Sequence, residues 1–259
     1  MSEPHLLFET EGDLGIATFQ RAEVHHAINP QTVKELERLL DYWERKANIK
    51  CLVLTATGTK SFVAGGDLKY FSEIMGNKMA GVKFHRHMRN AMKKISNLPF
   101  PVICAANGDI YGGGCEIALS ADLFIIAHHA SVNFRQMEVG LTPGWGGGPK
   151  LVRRVGYNKA CHLILTGAAV PAPEAQKMGL VEEVIEGDFQ KGFREFASLI
   201  TRYPQEVIHN NLKVLRAAGS KWWDVAHQME VRYFERLWGG PAFKGAVERF
   251  MKRGSDLTG

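Results

Sequence analysis

The chain has 259 residues, 45% of them apolar and 23% charged, with a formal net charge of +5. This composition supports one sizeable core, or one core with a small appendage, and argues against long disorder. No run of about 18 apolar residues is present, and Met1-Ser2-Glu3-Pro4-His5 has neither the basic n-region with apolar h-region of a secretory signal nor an Arg-rich transit pattern.

Leu6–Glu9 and Leu14–Phe19 read as two strands around a Glu11-Gly12-Asp13 turn. Asn29 then stands as an N-cap with Pro30 at the first helical position, and Val33, Leu36, Leu39, Leu40 and Trp43 recur at helical spacing on a core face. Cys51–Thr55 is a short buried strand, and Phe62–Leu68 reads as another strand breaking into a glycine loop. A long amphipathic helix is expected over about Val82 to Leu98, with His85, Met88, Met92 and Ile95 near one stripe and Pro99 and Pro101 as stops. Val102–Ala106 is a strand, Asn107–Gly114 a loop, Glu116–Ser120 the opening of a helix and Leu123–Ala127 another strand. Strand alternating with helix predicts an α/β class with parallel strands. From about Glu195 the chain turns helical, with breaks at Pro204 and Gly239-Gly240-Pro241, so a soft boundary near Arg202 separates an α/β body (1–202) from a helical region (203–259).

Two glycine-rich loops each follow a buried strand: Ala64-Gly65-Gly66-Asp67 and Gly112-Gly113-Gly114-Cys115-Glu116. Glycine lets backbone approach a ligand closely, and the second loop leads into a helix. If the loops meet, two N–H groups can hold one oxygen, each contributing roughly 3 kcal/mol in the transition state. Tight turns or a phosphate loop are the other readings, although neither loop fits a dinucleotide or Walker pattern.

The order of motifs resembles the crotonase (enoyl-CoA hydratase/isomerase) superfamily over almost the whole chain. The carriers are His26-Ala27-Ile28-Asn29; Ser61–Leu68 with its Ala64-Gly65-Gly66-Asp67-Leu68; Asn107-Gly108 with Tyr111–Leu119 and Asp122; Gly140–Gly147; and Ala175–Val181. The resemblance implies a β-β-α spiral with a helical C-terminal region that trimerises, giving trimers or dimers of trimers. It implies that Gly66 and Gly113 donate to a thioester oxygen and that Val24, Ala27, Ala64, Asp67 and Leu68 hold coenzyme A, which belongs to the substrate and is not a cofactor. Lys244 would reach a coenzyme A phosphate, and Phe243 and Trp145 would line the acyl pocket or pack the core.

Glu116 matches the first catalytic glutamate of the family's hydratases, where a buried carboxyl can shuttle a proton. The second acid departs from the pattern. By motif, Phe134-Arg135-Gln136-Met137-Glu138 puts Glu138 in that place; counted back from Pro143, the place falls on Gln136. Two readings stay open: along an extended segment a two-residue shift keeps the same face and Glu138 still addresses the site, or the shift displaces Glu138 from it. Hydration is served best by two acids, isomerisation by one. Decarboxylation of a malonyl-type thioester (ethylmalonyl- or methylmalonyl-CoA) is favoured by a neutral Gln136, and Phe134–Gly147 is also similar to the ethylmalonyl-CoA decarboxylase branch.

Cys51, Cys104, Cys115 and Cys161 form no C-x-x-C pair, so they read as reduced thiols of a cytoplasmic protein without a metal site. His25, His26, His128 and His129 read as surface or loop residues, and Trp222 and Trp223 as packing for the C-terminal helices. Lys78, Lys83, Arg86, Arg89, Lys93 and Lys94 lie on or near one helix; RNA binding, known for a crotonase relative, is the sharper reading, and a solvated face the expected one.

Overall fold

The computed structural model describes residues 3–45, 49–218, 228, 231–232, 234–235 and 237–255. Its first strands, β1 (Leu6–Glu11) and β2 (Leu14–Phe19), form the expected antiparallel hairpin, with Glu11 opposite Leu14 and Gly12 at φ +58° in the turn. Helix α1 (Pro30–Arg45) begins where Asn29 Oδ1 accepts the Thr32 N–H at 3.0 Å. Strand β3 (Cys51–Ala56) then runs parallel to β2.

The segment 62–68 is not a strand. It keeps one isolated parallel bridge, Ile28 with Gly66, and a second, Ser61 with Asp109, stands just before it; Gly65 at φ +95° breaks any ladder. Asp67 then caps α2 (Leu68–Glu73), accepting from Lys69 N–H (3.0 Å) and Tyr70 N–H (3.3 Å). The long helix, α3 (Lys78–Ile95), starts four residues earlier than the pattern suggests because Asn77 caps it through Ala80 N–H at 3.0 Å; His85, Met88, Met92 and Ile95 are all buried.

Strand β4 (Val102–Ala106) leads to a short β5 (Ile110–Tyr111), and α4 (Gly113–Ala118) begins inside the glycine run. After β6 (Leu123–Ala127) and β7 (Ser131–Asn133) come α5 (Gly147–Val155), α6 (Tyr157–Thr166), β8 (Ala169–Pro171), α7 (Ala172–Lys177), β9 (Glu183–Ile185) and α8 (Phe189–Thr201). The chain continues with α9 (Gln205–Ala218) and α10 (Pro241–Ser255). Trp222 and Trp223 lie outside the described residues.

One sheet has the order β1-β2-β3-β4-β6-β9, parallel apart from the β1 edge; a second is β5-β7-β8. Successive side chains of its strands serve opposite faces. Leu52, Leu54, Cys104 and Phe124 enter the larger core, while Cys51, Val53, Ile103 and Ile125 pack with Phe193 and Ala197 of α8. Burial on both faces explains why these strands read as continuous apolar runs. The larger core also takes Phe234, Trp238, Phe243 and Val247 from the 203–259 region, and α10 packs on α2.

Candidate active site

The glycine loops leave the C-terminal ends of the adjacent parallel strands β3 and β4, where ligands of open parallel sheets collect. Three backbone bonds clip them side by side: Phe62 N–H to Asp109 O (2.9 Å), Asp109 N–H to Lys60 O (3.1 Å) and Tyr111 N–H to Val63 O (3.1 Å). The approach is close at Gly65, where an added Cβ would stand 2.9 Å from Gly113 N, and closer still at Gly114, where one would stand 2.0 Å from Val63 O. Ile28 donates to Gly65 O (2.8 Å) and accepts from Asp67 N–H (2.9 Å), so the Gly66 N–H takes no part in that bridge. Gly113 opens α4, where a helix has no internal acceptor for an N–H. Both glycines are partly exposed.

Behind each glycine stands a ring. A Cβ on Gly66 would meet Phe71 at 2.4 Å, and one on Gly113 would meet the Trp145 six-membered ring at 2.3 Å. The site therefore needs glycine for room. Phe71, Phe84, His85, Trp238 and Phe243 form one cluster with Trp145 at its edge. Trp145 is 3% exposed and its indole N–H donates to His85 Nδ1 at 2.8 Å.

One turn into α4, Glu116 is 3% exposed. Its Oε1 accepts from Gly144 N–H (3.1 Å) and Gln136 Nε2 (3.4 Å), and its Oε2 from Trp145 N–H (2.7 Å) and Gly147 N–H (2.8 Å). The carboxylate thus sits at the start of α5, with donors on both oxygens. Burial pushes its pKa above the ordinary carboxylate value, against the pull of the three backbone N–H groups and the Gln136 amide.

Gln136, 6% exposed, is the residue that meets Glu116. Glu138 points elsewhere: its side chain is 52% exposed and pairs with Arg135 at 3.4 Å. Of the two readings of Glu138, displacement matches this geometry, because Met137–Val139 is a 3₁₀ turn and not an extended segment. Such a turn rotates roughly 120° per residue, so positions two apart diverge.

A family profile described as "Enoyl-CoA hydratase/isomerase" matches residues 9–256. The chain belongs to the enoyl-CoA hydratase/isomerase family. A short-chain-enoyl-CoA hydratase of Clostridium acetobutylicum is 36% identical over 182 residues, 70% of this chain and 69% of that protein. A crotonyl-CoA hydratase of Syntrophomonas wolfei is 31% identical over 186 residues, 72% and 71% of the two chains. Among solved structures, an enoyl-CoA hydratase/isomerase of Mycobacterium paratuberculosis superposes with a TM-score of 0.88 at 23% identity, covering 95% of this chain and 98% of its own, which shows the crotonase fold.

In this family member the other predicted contacts take varied places. Val24 is exposed on a 3₁₀ turn (Ala22–Val24), and Ala27, Ala64 and Leu68 are half-buried nearby. The Asp67 side chain is already engaged: besides capping α2, it pairs with Arg21 at 3.2 Å, and Arg21 also donates to Ala27 O. Asp67 therefore ties the Val24–Ala27 turn to the Gly66 loop. Phe243 is 1% exposed, 4.6 Å from the Trp238 ring centroid, while Lys244 is exposed on α10.

The surface reading fails at Arg89, and of the two readings of His26 the loop one holds while the surface one does not. His26 is 2% exposed; its Nδ1 accepts from Arg21 N–H (3.0 Å) and its Nε2 meets Thr57 O (3.1 Å). It lies in a left-handed turn (φ +54°). Arg89, assigned to the basic helix face, is 8% exposed, bonded to Gly144 O (3.5 Å) and Glu235 (3.3 Å). Lys94 pairs with Asp41. These contacts remove part of the face that RNA would need. The sequence reading missed the roles of His85 and Phe71 entirely; His85 shows only as one member of an apolar stripe. The four cysteines are free, and among the described residues no group of His, Cys, Asp and Glu has the makings of a metal site and no helix is long and apolar enough to cross a membrane.

Proposed function

We propose that this enzyme adds water to, or moves the double bond of, an enoyl-CoA thioester through an enolate whose oxygen accepts from Gly66 and Gly113 N–H. The observation that carries this reading is the convergence of the Gly65-Gly66 loop on Gly113 beside a buried carboxyl, Glu116. In hydration the water oxygen bonds to the β-carbon, the water proton passes to Glu116, and Glu116 returns it to the α-carbon as the enolate collapses. Glu116 opens to water most readily on its longest bond, from Gln136 at 3.4 Å. Gln136 Oε1 is buried with no partner among the described groups, and it accepts from that water. The relatives named short-chain-enoyl-CoA and crotonyl-CoA hydratase support a short 2-enoyl chain.

A second reading has one specific support. A neutral Gln136 beside Glu116 does not repel a substrate carboxylate, which suits decarboxylation of a malonyl-type CoA. A trimer or dimer of trimers, built through residues 203–259 with Lys244 on a coenzyme A phosphate, and a cytoplasmic setting for the free thiols belong to the same proposal.

The test is the fate of crotonyl-CoA and ethylmalonyl-CoA with purified protein, read by mass spectrometry, with Glu116→Gln as control. Gain of water on crotonyl-CoA, reduced by about 10²- to 10⁴-fold in the variant, supports the first reading. Carbon dioxide release from ethylmalonyl-CoA with crotonyl-CoA untouched replaces it with the second. Because Glu116 must be ionised to accept the water proton and burial raises its pKa, the acid limb of hydration should lie above the ordinary carboxylate range.

A further inference from the structure

Trp145 touches both halves of the site. Its ring atoms Cζ3, Cη2 and Cε3 lie 2.3–2.8 Å from where a Gly113 Cβ would stand, and its backbone N–H holds Glu116 Oε2 at 2.7 Å. The opposite edge of the indole carries the N–H that His85 Nδ1 accepts at 2.8 Å. Turning an indole over about its Cβ–Cγ bond would fill a similar slot, but only one orientation puts the N–H on His85 and the six-membered edge on Gly113. The hydrogen bond selects that orientation.

His85 is built for this. It is 3% exposed on α3, among the rings of Phe234 (4.0 Å between centroids), Trp238 (4.4 Å), Phe84 (5.3 Å) and Phe71 (5.5 Å). Accepting at Nδ1 leaves the proton of the neutral imidazole on Nε2, which has no hydrogen-bond partner among the described residues. Burial first, then the Arg89 charge, pushes its pKa well down, so the acceptor stays available. A leucine would fill the space without a buried polar atom, so packing alone does not ask for histidine.

We propose that His85 is a positioning residue for the reaction: by accepting the Trp145 indole N–H it fixes the ring that seats Gly113 and the backbone N–H that holds Glu116, and so sets the oxygen-binding N–H and the proton-carrying acid relative to one another. The proposal rests on the reading of Gly66 and Gly113 as the thioester-oxygen site.

The experiment uses cinnamoyl-CoA, whose conjugated thioester absorbs at longer wavelength when its carbonyl oxygen is polarised by donors. A shift on binding to the wild type upholds the oxygen-site reading; no shift overturns that reading and this proposal with it. Given the wild-type shift, Trp145→Phe and His85→Leu should each lose at least half of it. Each should also lower kcat for the thioester the wild type consumes by about 10- to 100-fold, with KM changed less than about threefold. His85→Gln, which offers an oxygen acceptor, should recover much of both. Trp145→Phe keeps a ring in the slot, so it decides the matter if His85→Leu does not fold. If Trp145→Phe keeps the shift and kcat within about twofold of wild type, or folded His85→Gln is as impaired as His85→Leu, His85 does not position the site.

Discussion

The two glycine loops offer equivalent N–H groups, yet they are held by different physics. The Gly66 side is laced by polar bonds: a buried Ile28 bridge, and, closer to solvent, the Asp67 cap and the Arg21–Asp67 pair, whose side chains are 16% and 14% exposed. The Gly113 side rests on buried groups, with Trp145 against the glycine, His85 on the indole and Glu116 taking three backbone N–H groups and an amide. Water can substitute for a lost partner on the first side. On the second it cannot, and an unpaired buried group costs about 1–3 kcal/mol. The first side should therefore tolerate change, and the second should fail abruptly.

The largest effect that would break this comparison comes from adding one methyl group to each glycine. Gly113→Ala drives a Cβ to 2.3 Å from the Trp145 ring, and the ring cannot retreat without straining its bonds to His85 and Glu116. We expect a loss of about 10²- to 10³-fold in kcat and about 1–3 kcal/mol in stability. Gly66→Ala meets Phe71 at 2.4 Å, but that ring makes no side-chain hydrogen bond and can shift within its cluster, so a smaller loss is expected. Steady-state kinetics and urea unfolding measure both; equal losses would remove the distinction.

A smaller effect sharpens it. Asp67→Asn keeps a side-chain oxygen for the Lys69 and Tyr70 N–H groups but removes the charge opposite Arg21. The expected cost is about 1 kcal/mol or less, felt mainly as a raised KM because the Val24–Ala27 turn loosens while Glu116 is untouched. A fall in kcat with KM unchanged would show that the Gly66 side reaches the chemistry as directly as the Gly113 side does.

How much of this was legible follows the same division. Signals that act within one turn were readable: the Gly12 hairpin, Asn29-Pro30 at the start of α1, and the apolar runs of β3, β4 and β6. The glycine loops were readable because close backbone approach leaves glycine as the residue that fits, and Glu116 through the motif that resembles the family's. Unreadable was whatever depended on partners far along the chain. Phe62–Leu68 has strand composition, yet its partners, Ile28 and Asp109, meet it through one isolated bridge at Gly66 and one backbone bond at Phe62. Arg89 sits in a basic run and His85 in an apolar stripe; Gly144, Glu235 and Trp145, 55 to 146 residues away, decide what each does.

The smallest expected effect tests the most consequential of these placements. Glu138 lies two positions after Gln136, and the reading of the second acid turns on whether the chain there is extended or coiled. A 3₁₀ turn puts Gln136 on Glu116 at 3.4 Å and leaves Glu138 half in solvent, paired with Arg135. An exposed i,i+3 pair of this kind contributes between about 0 and 1 kcal/mol. Glu138→Gln should therefore shift stability by no more than about 0.5 kcal/mol and leave kcat and its pH profile as in the wild type. Gln136→Leu, by contrast, removes a donor to Glu116 and should lower kcat by about tenfold or more. If Glu138→Gln instead abolishes turnover, the coil must unwind when substrate binds and deliver Glu138 to the place Gln136 holds. The site would then be a two-acid hydratase assembled on demand, and the rigid and tolerant halves would change places.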